Sequence, residues 1–301
     1  MKSRIVIILV ICFFGFSNPA AAQKQDNNLI NKGAGSFIVP GSGLHVKDSI
    51  TIHYYKPKNF SPKSKILIVI PGAGRNGDSY RDSWVEASEK YSVLIISLSY
   101  PEAAYPYSDY HLGNMVTDLN LYDGIRFVKN SNQVQMDEDI VKFKINNNAE
   151  QWIYNDFDRI FTIVKKITNS KQKEYDMFGH SAGGQVLHRF ALMQPKSKAN
   201  RILASNAGTY TLPDKLTKFP FGLKDLNTIN LKKAFKKKLV LFLGELDNES
   251  ETGGLLLRSK TVDLQGTHRL ARGKYFYNKS LEVAKNKGYK LNWLLRFNSC
   301  H

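Results

Sequence analysis

A chain of 301 residues that is 42% hydrophobic and 23% charged is long enough to bury a sizeable core and too apolar to be a disordered polyelectrolyte. Its formal net charge of +17 is strongly basic, but the Lys and Arg residues are not interleaved with stacking aromatics in any nucleic-acid module, which argues against nucleic acid as a partner.

At the start of the chain, Lys2 and Arg4 precede an apolar stretch from Ile5 to Phe16, and Ala20, Ala21 and Ala22 follow before Gln23. This order predicts a secretory signal peptide over 1–22 with cleavage after Ala22. The apolar stretch is about half the roughly twenty residues that span a bilayer, so an anchor is the weaker expectation. Export would place the remaining 23–301, as one domain, in the periplasm or outside the cell. Cys12, Lys2 and Arg4 would leave with the leader, so Cys300 alone remains, no intramolecular disulfide can form, and the net charge falls by two to about +15. Much of that charge lies at Lys232, Lys233, Lys236, Lys237 and Lys238, a solvated surface that could touch an anionic envelope or an acidic polysaccharide.

Short strands are expected at Ser36–Pro40 and Ile50–Tyr55, an antiparallel edge. Lys65–Ile70 is then an unbroken apolar run of the kind found in a parallel strand covered on both faces, and Pro71-Gly72-Ala73-Gly74 ends it. A helix over Asp78–Lys90 leads to a second such run, Val93–Ser97. The segment from Pro101 to Glu150, rich in Tyr, Asn and Asp, exceeds what a crossover needs and is expected to form loops overhanging a site. Trp152–Ile167 has the spacing of the crossover helix, and Tyr175–Phe178 is the third buried run. Further runs follow at Arg201–Ser205, Leu239–Leu243 and Leu291–Phe297, with a helix over Gly273–Asn286 between the last two. Alternating apolar runs and helical segments predict an α/β fold built on a mostly parallel, twisted sheet with helices on both faces.

The most informative string is Gly179-His180-Ser181-Ala182-Gly183, because it puts a serine between two glycines where the third run passes into the helix Gln185–Met193. A serine hydroxyl becomes a nucleophile when a base sits beside it and its oxygen is held clear of the backbone. A sharp strand-to-helix turn does the second, and leaves no room for side chains two residues before and after. In that architecture the acid follows a later strand and the histidine follows the last one. After Leu239–Leu243 come Glu245 and Asp247, of which Asp247 is favoured because it lies farther into the loop. His301 is the one histidine beyond Leu291–Phe297; His268, before the last helix, is the reserve base. The oxyanion would be held by the backbone N–H groups of Ala182 and Ala73, with Gly72 and Gly74 keeping that loop open. His180 is expected to pack beside the elbow, and His188 and Arg189 to be structural. The aromatics Tyr105, Tyr107, Tyr110, Trp152 and Tyr210 could line a pocket for sugar or aryl groups. No paired Cys, H-E-x-x-H or G-x-G-x-x-G string suggests a metal or a dinucleotide, and no cofactor is expected.

On the strings PGAGRNGDSYRDSW (71–84), YHLGNM (110–115), FGHSAGGQVLHRF (178–190), SNAGTY (205–210), LGELDN (243–248) and GTHRLARG (266–273), the chain resembles the α/β-hydrolase superfamily, and within it secreted bacterial esterases related to polyhydroxybutyrate depolymerases. The resemblance implies a secreted serine ester hydrolase with Ser181 as nucleophile, Asp247 as acid and a histidine in a final G-x-G-H-like turn. Here that turn reads Asn298-Ser299-Cys300-His301, and Pro71-Gly72 stands where the family commonly has His-Gly. Amide or peptide hydrolysis on the same fold, and a catalytically degenerate envelope-binding protein, are the alternatives.

Overall fold

The computed structural model describes residues 29–227 and 229–299; the expected signal peptide, Cys300 and His301 lie outside the described residues. The chain begins with an antiparallel hairpin, β1 (Gly33–Pro40) and β2 (Ser49–Lys56), in the register Gly33 opposite Lys56 to Pro40 opposite Ser49. β3 (Ile66–Ile70) follows, and then two short helices, α1 (Gly77–Asp82) and α2 (Val85–Tyr91), where the sequence suggested one. β4 (Leu94–Ser99) and α3 (Tyr107–Tyr110) come next.

The insertion is more ordered than the loops expected of it. It holds β5 (Val116–Asn120), β6 (Ile125–Phe127), β7 (Gln133–Met136) and β8 (Lys142–Ile145). The core resumes with α4 (Asn155–Thr168), β9 (Tyr175–His180), α5 (Ala182–Met193), β10 (Ala199–Ser205), α6 (Leu231–Ala234) and β11 (Lys238–Gly244). β12 (Leu256–Arg258), α7 (Arg269–Asn286) and β13 (Leu294–Asn298) complete it.

Eight strands form the central sheet in the order β1-β2-β4-β3-β9-β10-β11-β13, antiparallel at the β1-β2-β4 edge and parallel from β4 to β13. β4 is buried at five consecutive residues, so both faces of the sheet are covered, which is why these strands read as continuous apolar runs. α4 buries Phe157, Ile160, Phe161 and Val164, one stripe at helical spacing. At the break between α1 and α2, Trp84 sets its ring edge against Phe178 of β9, with centroids 5.1 Å apart. α7 starts one turn before the expected Gly273 because the His268 side chain caps it, its Nδ1 accepting from Ala271 N at 3.2 Å.

Chain order reverses direction at β3: β4 lies on one side of it and β9 on the other. The carboxyl ends of β3 and β9 therefore open a crevice at a topological switch point, the place where open α/β sheets bind ligands. Pro71–Gly74 leaves one of those ends and Ser181 the other.

Candidate active site

Ser181 has φ 56° and ψ −114°, a conformation non-glycine residues avoid. It is held there by its neighbours: Ser181 N donates to Ser205 O of β10 at 2.9 Å, and Gln185 N donates to Ser181 O at 3.0 Å as α5 begins. The flanking glycines are required by contact. A Cβ on Gly179 would sit 2.5 Å from Gly183 O, and one on Gly183 would sit 2.0 Å from Ile70 O of β3. The elbow thus packs α5 against the end of β3 with no room for a methyl group, and Ala182 opens the helix, where first-turn N–H groups have no intrahelical acceptor.

The loop after β3 is braced from three directions. Tyr110 Oη donates to Pro71 O at 2.7 Å, Ser99 Oγ donates to Arg75 O at 2.8 Å, and Arg75, at φ 52°, sends its Nη1 to the carbonyls of Tyr100 and Tyr105 while its guanidinium lies 4.6 Å from the Tyr110 ring centre. Among the described residues the Ala73 N–H has no hydrogen-bond acceptor. A Cβ on Gly72 would approach Tyr80 Oη to 2.8 Å and lie 3.8 Å from Ser181 Cβ, so the loop runs close to the serine; one on Gly74 would meet Asn76 Oδ1 at 3.3 Å. Tyr80 Oη is 3.3 Å from Nδ1 of His180, which places His180 beside the elbow, as the sequence suggested. Burial lowers the pKa of His180 and Arg269 pushes it the same way, against the pull of Asp247.

Of the two carboxylates after β11, Glu245 is exposed and Asp247 is turned inward, 5% exposed. Asp247 Oδ1 accepts from Arg269 Nη1 at 3.1 Å, and Asp247 O accepts from Leu270 N at 3.0 Å, so the start of α7 clasps the acid on both its side chain and its backbone. No hydrogen bond from another described residue reaches Asp247 Oδ2. Arg269 also donates to the carbonyls of Gly253 and Leu255, at 3.3 and 3.0 Å. His268, with Nδ1 engaged as the helix cap and Nε2 3.5 Å from Glu249, does not line the cavity that holds Ser181. His188 and Arg189 are fully buried. His188 donates from Nδ1 to Gly184 O and accepts at Nε2 from Thr211 N, and Arg189 binds Thr211 Oγ1 and His111 O; both are structural, as expected.

Ser181, Ala182 and Ala73 share one cavity of about 670 Å³ with Tyr107 and His111. Its walls come from the insertion, from 208–225 and from a segment at 254–261. Sequence reasoning passed over this last segment. Of the aromatics offered for a sugar or aryl pocket, Tyr105, Tyr110, Trp152 and Tyr210 are instead buried core, and only Tyr107 reaches the cavity. Tyr105 and Tyr110 brace the loop after β3, Trp152 donates its indole N–H to Asn146 O, and Tyr210 stacks on Phe276 of α7. The His111 ring stacks on Tyr107 at 4.4 Å, and burial, with Arg75 and Arg189 nearby, pushes its pKa down to about 3, so it is neutral at ordinary pH. Arg75, Tyr80 and Arg269 were not singled out from sequence, and Tyr110 was offered for a pocket rather than for the bond it makes to Pro71 O; each acts through a partner distant along the chain. Among the described residues no three His, Cys, Asp or Glu side chains gather as a metal site.

No protein-family model and no curated protein matches the chain. Solved structures do. Poly(aspartic acid) hydrolase-1 from Sphingomonas sp. KT-1 is 33% identical over 89% of this chain and 92% of its own, with a TM-score of 0.75. LpqC, a poly(3-hydroxybutyrate) depolymerase from Bordetella parapertussis, is 23% identical over 89% and 83%, with a TM-score of 0.72. An IroE-like serine hydrolase from Shewanella oneidensis shares the fold at 15% identity over 88% and 73%, with a TM-score of 0.50. A strained serine between β9 and α5 at the switch point of a parallel sheet, joined to one-third identity along nearly the whole chain, leads to one conclusion: the chain belongs to the α/β-hydrolase superfamily and is a hydrolase resembling the poly(3-hydroxybutyrate) depolymerases.

Proposed function

We propose that the protein is an exported serine hydrolase that cleaves carboxylic esters through an acyl-enzyme. Ser181 attacks the carbonyl, the N–H groups of Ala73 and Ala182 hold the oxyanion, His301 takes the serine proton and returns it to the leaving group, and Asp247 orients the imidazole. The observation that carries the proposal is the elbow: Ser181 held at φ 56° and ψ −114°, opening into the same cavity as Ala73 and Ala182. The leader expected over 1–22 supports export, and the exposed Lys232, Lys233 and Lys236 would meet an anionic envelope after it.

The test is hydrolysis of a short-chain nitrophenyl ester by the protein beside Ser181→Ala and His301→Ala, with fluorophosphonate labelling of Ser181. Loss of activity by several orders of magnitude in both variants, on the order of 10⁶ where a triad acts as a unit, is the expected result. Loss in Ser181→Ala alone removes His301 from the base's role, and an unlabelled, inactive parent refutes the proposal. Amide hydrolysis is a second proposal, favoured by the one-third identity to a poly(aspartic acid) hydrolase. Relative rates on matched ester and anilide substrates separate the two.

A further inference from the structure

The insertion turns a set of apolar side chains toward the cavity. Ile125 and Phe127 of β6, Val134 and Met136 of β7, and Leu255 and Leu257 at β12 all line the cavity, and each pair is spaced by two. Phe143 and Ile145 of β8 repeat the pattern. The residues between them in the insertion, Arg126, Gln135 and Lys144, are exposed, whereas at β12 the intervening Leu256 is buried. Period-two alternation normally turns its apolar face to the core. Here that face looks into the space that holds Ser181, and parts of it stay wet: Phe127 is 68% exposed and Leu255 64%. The charged side chains on the walls are three acids, Glu102, Glu138 and Asp225, and two lysines, Lys142 and Lys218, so the cavity has no cationic surplus to receive an acidic chain. About 670 Å³ falls within the range of about 300–1,000 Å³ that encloses small-molecule ligands.

Resting on the ester-hydrolase proposal, we infer that the occupant of this face is an aliphatic chain of the substrate, longer than butyryl, lying against β6, β7 and β12 while its ester carbonyl reaches Ser181. The chain can sit on the acyl or the alcohol side of the ester, and two substrate series tell these apart: p-nitrophenyl acylates from acetate to decanoate, and acetates of n-alkanols of the same lengths. In one of them kcat/KM rises by up to about fourfold per methylene, or up to about 250-fold from butyrate to octanoate. The double variant Phe127→Asp with Leu255→Asp, at two solvent-exposed positions, lowers the ratio of the eight-carbon to the four-carbon ester in the series that responds at least tenfold, while its melting temperature reports that the fold is kept. Series that are flat or fall with length in both arms overturn the inference. Should no ester be turned over, the ester proposal fails, and calorimetric titration of Ser181→Ala with octanoate and butyrate still decides the cavity: tighter binding of octanoate supports the inference, and equal or absent binding overturns it.

Discussion

Gly183→Ala puts the elbow under a defined load. The added Cβ would stand 2.0 Å from Ile70 O and 2.8 Å from Pro71 O, both backbone atoms at the end of a central strand. To reach even 3.0 Å from Ile70 O, the start of α5 and the end of β3 must part by about 1 Å. Neither can yield cheaply: β3 is paired on both sides by β4 and β9, and Ser181 N is bonded to β10. Overpacking of this kind costs about 1–3 kcal/mol, and for a domain of this size each kcal/mol is worth about 2–4 °C, so a loss of about 2–12 °C in Tm is expected. Activity should fall further than stability explains, because the displaced carbonyls lead directly into Gly72 and Ala73, and a misplacement of about 1 Å can cost about 10²-fold in rate. Thermal denaturation and nitrophenyl-ester kcat, measured on one preparation below its Tm, give both numbers. Gly74→Ala is the control for stability alone, since its Cβ meets nothing nearer than Asn76 Oδ1 at 3.3 Å while the residue itself lies in the loop expected to hold the oxyanion. A Gly183→Ala protein with the parent's Tm and kcat would refute this account of the elbow.

Three further outcomes follow from other parts of the molecule. Replacing Ser181 by Gly rather than Ala relieves the strained φ and ψ, which cost on the order of 1–3 kcal/mol, so the inactive Ser181→Gly should melt about 2–12 °C above the inactive Ser181→Ala; equal Tm values would show that the strain is absent. Arg269→Met leaves the buried Asp247 carboxylate without its cation and should cost about 3–5 kcal/mol in denaturant unfolding, and a loss below about 1 kcal/mol would mean the pair is not what holds the acid. His45, buried between Asp109 at 3.0 Å and Asp48 at 2.8 Å, has a pKa raised chiefly by the Asp109 hydrogen bond, so the folded state holds its proton more tightly than the unfolded chain. Its contribution is complete below the unfolded value of about 6.5 and is lost as pH rises through the raised folded value, so the Tm gap between the parent and His45→Gln should be widest near pH 6 and narrow toward pH 9; a gap that widens with pH would refute the assignment.

The central sheet was legible because parallel strands covered on both faces leave runs such as Ile66–Ile70 that no other element explains. The elbow was legible because its steric demand is local, falling on Gly179 and Gly183 within five residues. That Asp247 is buried and Glu245 exposed agrees with the preference drawn from their distances to the strand end. What stayed hidden depends on partners far along the chain. Val134-Gln135-Met136 alternates, but four residues are too few to separate a strand from chance, and Leu256–Arg258 gains meaning only once paired with β7. Arg75, Tyr110 and Arg269 look like ordinary surface or core residues until the fold brings them to Pro71 and Asp247. A histidine is an uncommon helix cap, so nothing in Thr267-His268-Arg269 announced where α7 begins. His301, the expected base, lies outside the described residues.

β12 joins the sheet over the cavity in parallel with β7, although one strand belongs to the insertion and the other follows the loop that carries Asp247. Grafting residues 101–150 onto a related scaffold would therefore transfer two strands of that sheet and leave behind the third. Arg269, which binds both Asp247 and the carbonyls just ahead of β12, would stay with the recipient as well. Exchanging the walls of this cavity between related scaffolds thus requires moving two stretches together, 101–150 and 247–272, so the insertion, Asp247 and Arg269 have to travel as one unit.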